Sequence, residues 1–518
     1  MSFPSLVVEG VGDSGDINSG MSMALRNPLI LDGIFANLDL ADLKNSRLVC
    51  RVWSDVGATA LSKRTFLRAL KMVSYEGSKF SVIPPVHEKL LRRLSFNYNS
   101  EAFDPSVPPR KTSEVSTRIF TCVPHLSQLT REIDLLVNER KYANAFLDGV
   151  RRLKSSSNIR HISIGIEWTG SSAGKGEYKV RRKIPPQNNL TSIWFVVYGD
   201  VPKFGFHAFQ PLLQALMDAA PNLTFLDVTP TFYPNLEGCT NLKILKFCVV
   251  KSTPPTFFDV AAGMKMLGQV KDSLRNLCMR YYGEVELVKL PELAQDLEVP
   301  VMSKLVSLLI CQSPVYLFED FYNQDRLPSL KHLTLQIDVE AWKLSTYLSL
   351  WKRHDGVTSL VLTLDRIWWM RDTFSERIAH LFPSMKKLEL TIILPRAEIT
   401  QEINRLLEPF KIWDLKEVDV LAKSVVASSS IVAVLRNMSM WKGVRRVHFK
   451  ETYVTQADFT PCIQDLVLYS GGFESVKITG YNFEPRVPEI LDTVQPIFDG
   501  AGVPIQLIGG VIRDDDDD

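Results

Sequence analysis

The chain has 518 residues, 45% of them hydrophobic and 23% charged, with a formal net charge of +2. That balance leaves no general basic excess for holding nucleic acid or an anionic membrane. The length exceeds one ordinary globular core unless the fold is elongated or repetitive. Seven scattered cysteines without a C-x-x-C pair argue against a disulfide framework or a thiolate zinc site. They point instead to a reducing compartment, cytoplasmic and/or nuclear.

Residues 1–22 begin "MSFPSLVVEGVGDSGDINSG", lack the basic start and apolar run of a signal peptide, and read as a flexible lead. No window approaches the roughly 18 uninterrupted apolar residues of a membrane helix. The next element is a helical segment over 23–65. Pro28 can open a first helix, where its missing N–H costs nothing, and Leu31, Ile34, Phe35 and Leu38 follow at i, i+3, i+4, i+7 spacing on one face. "DLAD" at 39–42 interrupts the chain and supplies oxygens able to cap a second helix. The stretch from Leu43 to Gly57 contains "RLVCRVW" and reads as one helix. On it Leu43, Leu48, Val49, Cys50, Val52, Trp53 and Val56 cover more than half the circumference. A helix on a single core needs only about a 100° stripe, so the surplus calls for a second neighbour.

Residues 66–90 are read as a connecting helix or linker, and 91–485 as a repeat. The pattern apolar-x-x-apolar-x-apolar occurs as "LRRLSF" from Leu91, "IRHISI" from Ile159 and "LTSIWF" from Leu190, and as "TREIDL" from Thr130 apart from its first position. It continues as "LTFLDV" (223), "LKILKF" (242), "LRNLCM" (274), "LVSLLI" (305) and "LKHLTL" (330). "VTSLVL" (357), "MKKLEL" (385), "LKEVDV" (415), "VRRVHF" (444) and "FESVKI" (473) complete it. From Ile159 onward the starts lie 19–33 residues apart, a solenoid spacing. Helical patterns such as "FQPLLQALMDAA", "FSERIAHLF", "EINRLLEPF" and "SSIVAVLRNM" fall between them. Each unit is thus one strand and one helix, neither able to bury its apolar face alone. Residues 486–512 are read as a closing segment and 513–518 as a solvated acidic tail.

On these motifs the repeats, from Leu91 to Ile478, resemble leucine-rich repeats, though the Asn or Cys that usually follows the strand is absent or irregular. The segment 25–57 resembles an F-box through Pro28, Ile30 with Leu31, Ile34 with Phe35, Leu38, Asp42 with Leu43, and Val49-Cys50-Arg51 followed by Trp53. Leu29 stands where that family usually has an acidic residue, and Asn27 replaces its leucine. The implied fold is α/β: a short all-helical F-box followed by a curved leucine-rich repeat solenoid with an inner parallel sheet and outer helices. The implied role is that of a non-catalytic substrate receptor of an SCF-type cullin-RING ubiquitin ligase. In it Pro28, Leu31, Ile34, Phe35, Leu38, Leu43, Leu48, Val49, Cys50 and Trp53 bind a Skp-type adaptor and through it the cullin. The repeats hold a protein substrate. The alternative is a repeat scaffold whose N-terminal helices only cap the solenoid.

The search for catalytic or cofactor chemistry is negative. "TGSSAGKGEY" (169–178) has the wrong glycine spacing for a phosphate loop and Gly176 where Ser or Thr would ligate magnesium. The histidines form no H-x-x-x-H pair, and no G-x-S-x-G elbow exists. "RIWWM" (366–370) reads as a helix or loop packed on the next repeat, or as an aromatic recognition patch. No metal or cofactor is expected. Strand residues that alternate with the apolar ones face a concave surface, which nominates His332, Gln336, Lys387, Glu389, Arg446, His448, Lys450 and Lys477 for substrate. Arg446, Lys450 and Lys477 form a basic cluster suited to an acidic or phosphorylated segment. The loop "VVKSTPPTFF" (249–258) is an equally plausible contact.

Overall fold

A computed structural model describes residues 23–76, 79–83, 85, 87–97, 126–137, 140–153, 157–167, 183–198, 209–230, 232–250, 260–282, 298–311, 321–337, 348, 351–364, 374–394, 399–453, 459–480 and 489–509. The lead 1–22, the glycine-containing stretch 169–178, most of the 249–258 loop, "RIWWM" and the acidic tail lie outside the described residues.

After helical residues 23–24 come the helices α1 (Pro28–Ala36), α2 (Leu40–Ser46) and α3 (Arg51–Arg64). Pro28 occupies the first helical position, and the Asn27 side chain caps α1 by accepting from Leu29 N–H at 3.0 Å. Asparagine is among the favoured N-cap residues. Asp39 caps α2 in the same way, accepting from Asp42 N–H at 2.8 Å. Arg64 returns from the end of α3 to donate to the carbonyls of Phe35 and Leu38 (3.3 and 2.7 Å), which satisfies the C-terminal end of α1. The core they enclose is Leu31, Phe35, Leu43, Val56, Ala60 and Leu61, with Leu38, Val52, Trp53 and Leu90 packed at its margin.

The expected single helix from Leu43 to Gly57 is corrected. The chain leaves helical geometry after Ser46 and restarts at Arg51, with Cys50 extended at φ −160°, ψ 174°. One straight helix would have had to place the apolar residues of 43–56 around most of its circumference. The turn lets Leu43 and Val56 point into one core and leaves Leu48 and Val49 outside it.

The expected linker over 66–90 also differs. It holds β1 (Leu67–Arg68) and an antiparallel pair, β2 (Val73–Glu76) with β3 (Lys79–Val82). A one-turn 3-10 segment, Glu88–Arg92, then leads into β4 (Arg93–Asn97). The parallel sheet accordingly starts at Leu67, which pairs with Leu94.

By contact density the chain forms two units: residues 1–172, 178–194 and 218–220, and residues 173–177, 195–217 and 221–518. In the first, β1, β4, β5 (Glu132–Val137) and β6 (His161–Glu167) pair in parallel in that order, with helix α4 (Arg140–Arg151) between the last two in sequence. Strand β7 (Ser192–Tyr198) falls on the division. The second unit contains β8 (Phe225–Val228), β9 (Ile244–Val250), β10 (Asn276–Tyr282), β11 (Ser307–Cys311), β12 (His332–Ile337), β13 (Ser359–Leu364) and β14 (Lys387–Ile393). It ends with β15 (Glu417–Lys423), β16 (Val444–Thr452), β17 (Ser475–Gly480) and β18 (Ile505–Gly509), and all of these strands are parallel and in chain order.

Each quoted motif coincides with a strand. In most motifs the first apolar residue plugs the turn and the next two point inward from the strand; Val444 departs from this, opening its strand and standing exposed. In β12 these are Leu330, Leu333 and Leu335; in β14, Met385, Leu388 and Leu390, and all six are buried. Successive units repeat one backbone device: the amides of Lys331 and His332 share Val306 O, those of Thr358 and Ser359 share Lys331 O, and those of Lys386 and Lys387 share Thr358 O. The helices α5 (Gln210–Asp218), α6 (Val260–Gly268), α7 (Phe374–Leu381), α8 (Thr400–Leu407), α9 (Ser428–Ser439), α10 (Ile463–Ser470) and α11 (Glu489–Gly500) lie between strands in sequence. Within the second unit α9 packs on α8 and on α10, and Asn437 of α9 donates to Asn404 of α8 at 2.7 Å. Arg445 fastens the end of α9: its Nη1 donates to the carbonyls of Met438, Ser439 and Trp441, and its Nη2 donates to Gly472 O. The closing segment 486–512 proves to be a further helix and strand, α11 and β18. The fold is a mixed α/β architecture of stacked parallel strands with helices between many of them; the expected helix in each unit is corrected between β8 and β9, where the short connection forms turns and no helix among its described residues. Among the described residues no helix is long and apolar enough to cross a membrane.

Candidate protein-docking surfaces

The ten residues nominated on α1–α3 divide into three groups. Leu31, Phe35 and Leu43 are buried and form the core of the three helices, so they are not available to a partner in this conformation. Leu38 and Trp53 are half-buried at its edge. The Trp53 indole packs edge-on to Phe35 with ring centroids 5.4 Å apart, and its Nε1–H donates to Leu25 O at 2.8 Å. Pro28, Ile34, Leu48, Val49 and Cys50 are exposed.

Exposure is greatest where the sequence pattern alone does not place it. Leu48 is 84% exposed, Val49 63% and Leu29 83%, with Ile30, Ile34 and Leu40 also open to solvent. Exposed apolar residues scattered singly are ordinary. Six of them within 21 residues of chain, on a three-helix unit with its own filled core, are a concentration that a partner could cover. Pattern reasoning missed Leu29, Ile30 and Leu40 as contact candidates, and the signal was present. On a helix of 100° per residue, Leu29, Ile30 and Ile34 span an arc that excludes Leu31 and Phe35.

Helix α3, in contrast, is engaged by the residues that follow it. Lys89 and His87 bond to the Asp55 carboxylate (2.7 and 3.0 Å), which holds Asp55 below the usual carboxylate range. Arg93 Nη1 donates to Lys63 O at 2.9 Å, and Leu90 packs into the helical core. The helices are thus docked on the start of the sheet within the first unit.

On the second unit, residues that alternate with the buried ones line the other face of the sheet. His332 and Gln336 sit on β12, two strands from Lys387 and Glu389 on β14, and the structure does not gather them into one group with the basic cluster. Lys387 bonds Glu389 (2.9 Å) and reaches Glu417 on β15 (3.7 Å), and these carboxylates raise its pKa. Arg446 requires a correction. It donates through Nε and Nη2 to both carboxylate oxygens of Asp419 (2.6 and 3.0 Å) and through Nη1 to Glu474 (2.9 Å). This bidentate geometry neutralises the guanidinium and removes it from the expected cluster. His448 lies 2.9 Å from Thr479 Oγ1; burial, then Lys477 and Lys450, hold its pKa below the ordinary histidine value. Lys450 and Lys477 remain exposed.

Farther along the sheet, burial pushes the Cys248 thiol up to about 12 and raises Cys278 as well, so neither is a thiolate near neutrality. Among the described residues no group of three or more His, Cys, Asp or Glu is arranged to hold a metal. No known family model matches the sequence and no curated protein is similar to it.

Proposed function

We propose that the chain is a substrate-recognition subunit of an SCF-type ubiquitin ligase. In this reading the helices α1–α3 act as an F-box that docks a Skp-type adaptor and the cullin behind it, and the strand–helix repeats hold the protein to be modified. The chain itself performs no bond chemistry. The observation that carries the reading is the exposed apolar set at Leu29, Leu48 and Val49, which lies inside the ordered F-box-like motif. Covering each such side chain is worth about 1.5–3 kcal/mol, enough in sum to support a specific contact.

The test is co-purification with a Skp adaptor and cullin, with Leu48→Asp/Val49→Asp as the variant. These positions lie outside the helical core, so the variant keeps its fold. Stoichiometric capture by the wild type, lost in the variant at unchanged melting temperature, supports the reading. Absence of capture by a folded wild type overturns it in favour of a repeat scaffold. One observation favours that second reading: α3 is fastened to the start of the sheet through Asp55, His87, Lys89 and Arg93, as a terminal cap requires.

A further inference from the structure

Two neighbouring strands of the second unit break alternation at the same place. Along β15 and beyond it, Ala422 and Val425 are buried while Lys423 and Ser424 both remain partly exposed. Along β16, Phe449 and Thr452 are buried while Lys450 and Glu451 are not. Lys423 and Lys450 are in register, Ser424 and Glu451 both adopt positive φ (59° and 57°), and the β16–β17 register shifts between Phe449 and Thr452. Ser424 N–H donates to Lys450 O at 3.1 Å and its hydroxyl to Glu451 at 3.3 Å. Ser424 and Glu451 thereby join Lys423 and Lys450, which face out by ordinary alternation, so that two consecutive residues are left unburied at the end of each strand. Left-handed conformations at non-glycine residues persist where surrounding structure enforces them, often at functional sites.

The charges here differ from those one row back. Lys387 pairs with Glu389 and Glu417, and Arg446 pairs with Asp419 and Glu474, so that the two groups form a ladder of ion-paired residues across β14–β17. Past that ladder, Lys423 and Lys477 have no carboxylate at ion-pair distance among the described residues, and Lys450 reaches only Glu451, at 4.0 Å. Three lysines thus face one glutamate.

We propose that the solvent-exposed face of β15–β17 around Lys423, His448, Lys450 and Lys477 binds an extended protein segment carrying a run of Asp or Glu side chains. The inference rests on the reading of the repeat sheet as a protein-binding surface and supplies the class of segment it takes. Spacing favours a run of carboxylates over a single phosphoryl group. Neighbouring strands lie about 4.8 Å apart, and Lys477 is paired with His448, two residues before Lys450. Lys423 and Lys450 therefore lie about 5 Å apart, Lys450 and Lys477 about 8 Å, and Lys423 and Lys477 about 12 Å, a spread that carboxylates ~6.6 Å apart on alternate residues of an extended segment can follow and one phosphoryl group cannot. The residue best shaped for bidentate phosphate capture is arginine, and Arg446 is already held by Asp419 and Glu474.

The test uses the full chain and a fluorescein-labelled decapeptide of alternating Asp and Ser, with binding read by fluorescence anisotropy at low ionic strength. Saturable binding, weakened at least tenfold by Lys450→Glu/Lys477→Glu and less than twofold by Lys411→Glu/Lys442→Glu, is the expected result. The second pair changes net charge equally at other exposed lysines. Equal weakening by both pairs overturns the proposal. So does absence of binding by the wild type and by a variant with Asp514 to Asp518 replaced by Ser. Binding by that variant alone supports it, because the chain's own aspartates then compete for the face. Tighter binding of a serine decapeptide with a single phosphoserine overturns it in favour of a phosphoryl site. Adaptor capture by Lys450→Glu/Lys477→Glu, measured in parallel, separates failure of this inference from failure of the ligase reading.

Discussion

His354 shows how one side chain couples this fold to pH. It is buried, its Nε2–H donates to Leu327 O at 3.0 Å, and its Nδ1 accepts from Gly356 N–H at 3.2 Å. Only the neutral ring satisfies both bonds, and burial holds its pKa below 6.5. The unfolded chain therefore binds the proton first as pH falls. Stability is undiminished above pH 6.5, declines below it, and levels off once the folded-state pKa is passed. His161 and His448 shift in the same direction. In His354→Gln the drop in melting temperature from pH 7.5 to 5.5 should be smaller than in the wild type, as followed by circular dichroism. The α1–α3 residues give a second contrast at this scale. Phe35→Ala removes a buried ring and should cost about 3–5 kcal/mol, whereas Leu48→Asp should leave thermal stability within about 0.5 kcal/mol. Denaturant melts of the two variants measure the difference.

At the scale of elements, the entry to β16 depends on one glycine. Gly443 has φ +81°, and a Cβ there would lie 2.5 Å from Lys416 O and 2.6 Å from Leu415 O, both backbone atoms of the preceding unit. Gly443→Ala must therefore move one repeat against its neighbour as well as hold a left-handed alanine. It should destabilise the chain by roughly 1–3 kcal/mol, read as a lower denaturant midpoint. Trp441, buried just before this glycine, packs edge-on to Phe410, which stacks on Trp413 with ring centroids 4.8 Å apart. The aromatic residues between β14 and β16 thus cement successive units. A polar substitution at Trp413 should disturb both.

For the whole molecule, the two proposed surfaces draw on different residues and different forces. Leu48 and Val49 offer apolar area, and Lys423, Lys450 and Lys477 offer charge. Raising salt from 0.05 to 0.5 M should weaken the acidic-peptide contact markedly and leave adaptor capture nearly unchanged, because screening acts on exposed charges and not on apolar burial. Leu48→Asp/Val49→Asp should leave peptide affinity within twofold, which anisotropy measures directly. Units that contact only their sequence neighbours carry such sites independently.

The repeat was legible in the sequence because its physical cause is local: two apolar residues on alternate strand positions recur in each quoted motif, in most of them after an apolar residue at the turn. Each of those motifs becomes a parallel strand. The helices at 210–218, 374–381, 400–407 and 428–439 were legible for the same reason, since one apolar stripe meets one sheet. Other features depend on contacts that spacing does not encode. Whether Leu43 or Leu48 faces the core was decided by a turn at 47–50, which a helical wheel cannot contain. Which lysines lack a counter-ion was decided by register, which hands Arg446 to Asp419 and Glu474 and leaves Lys423 beside Lys450, past the carboxylates. The sequence by itself determined the period and the buried face. Only the tertiary structure decided which apolar and charged side chains were left over, because that depends on what each neighbouring strand and helix already satisfies.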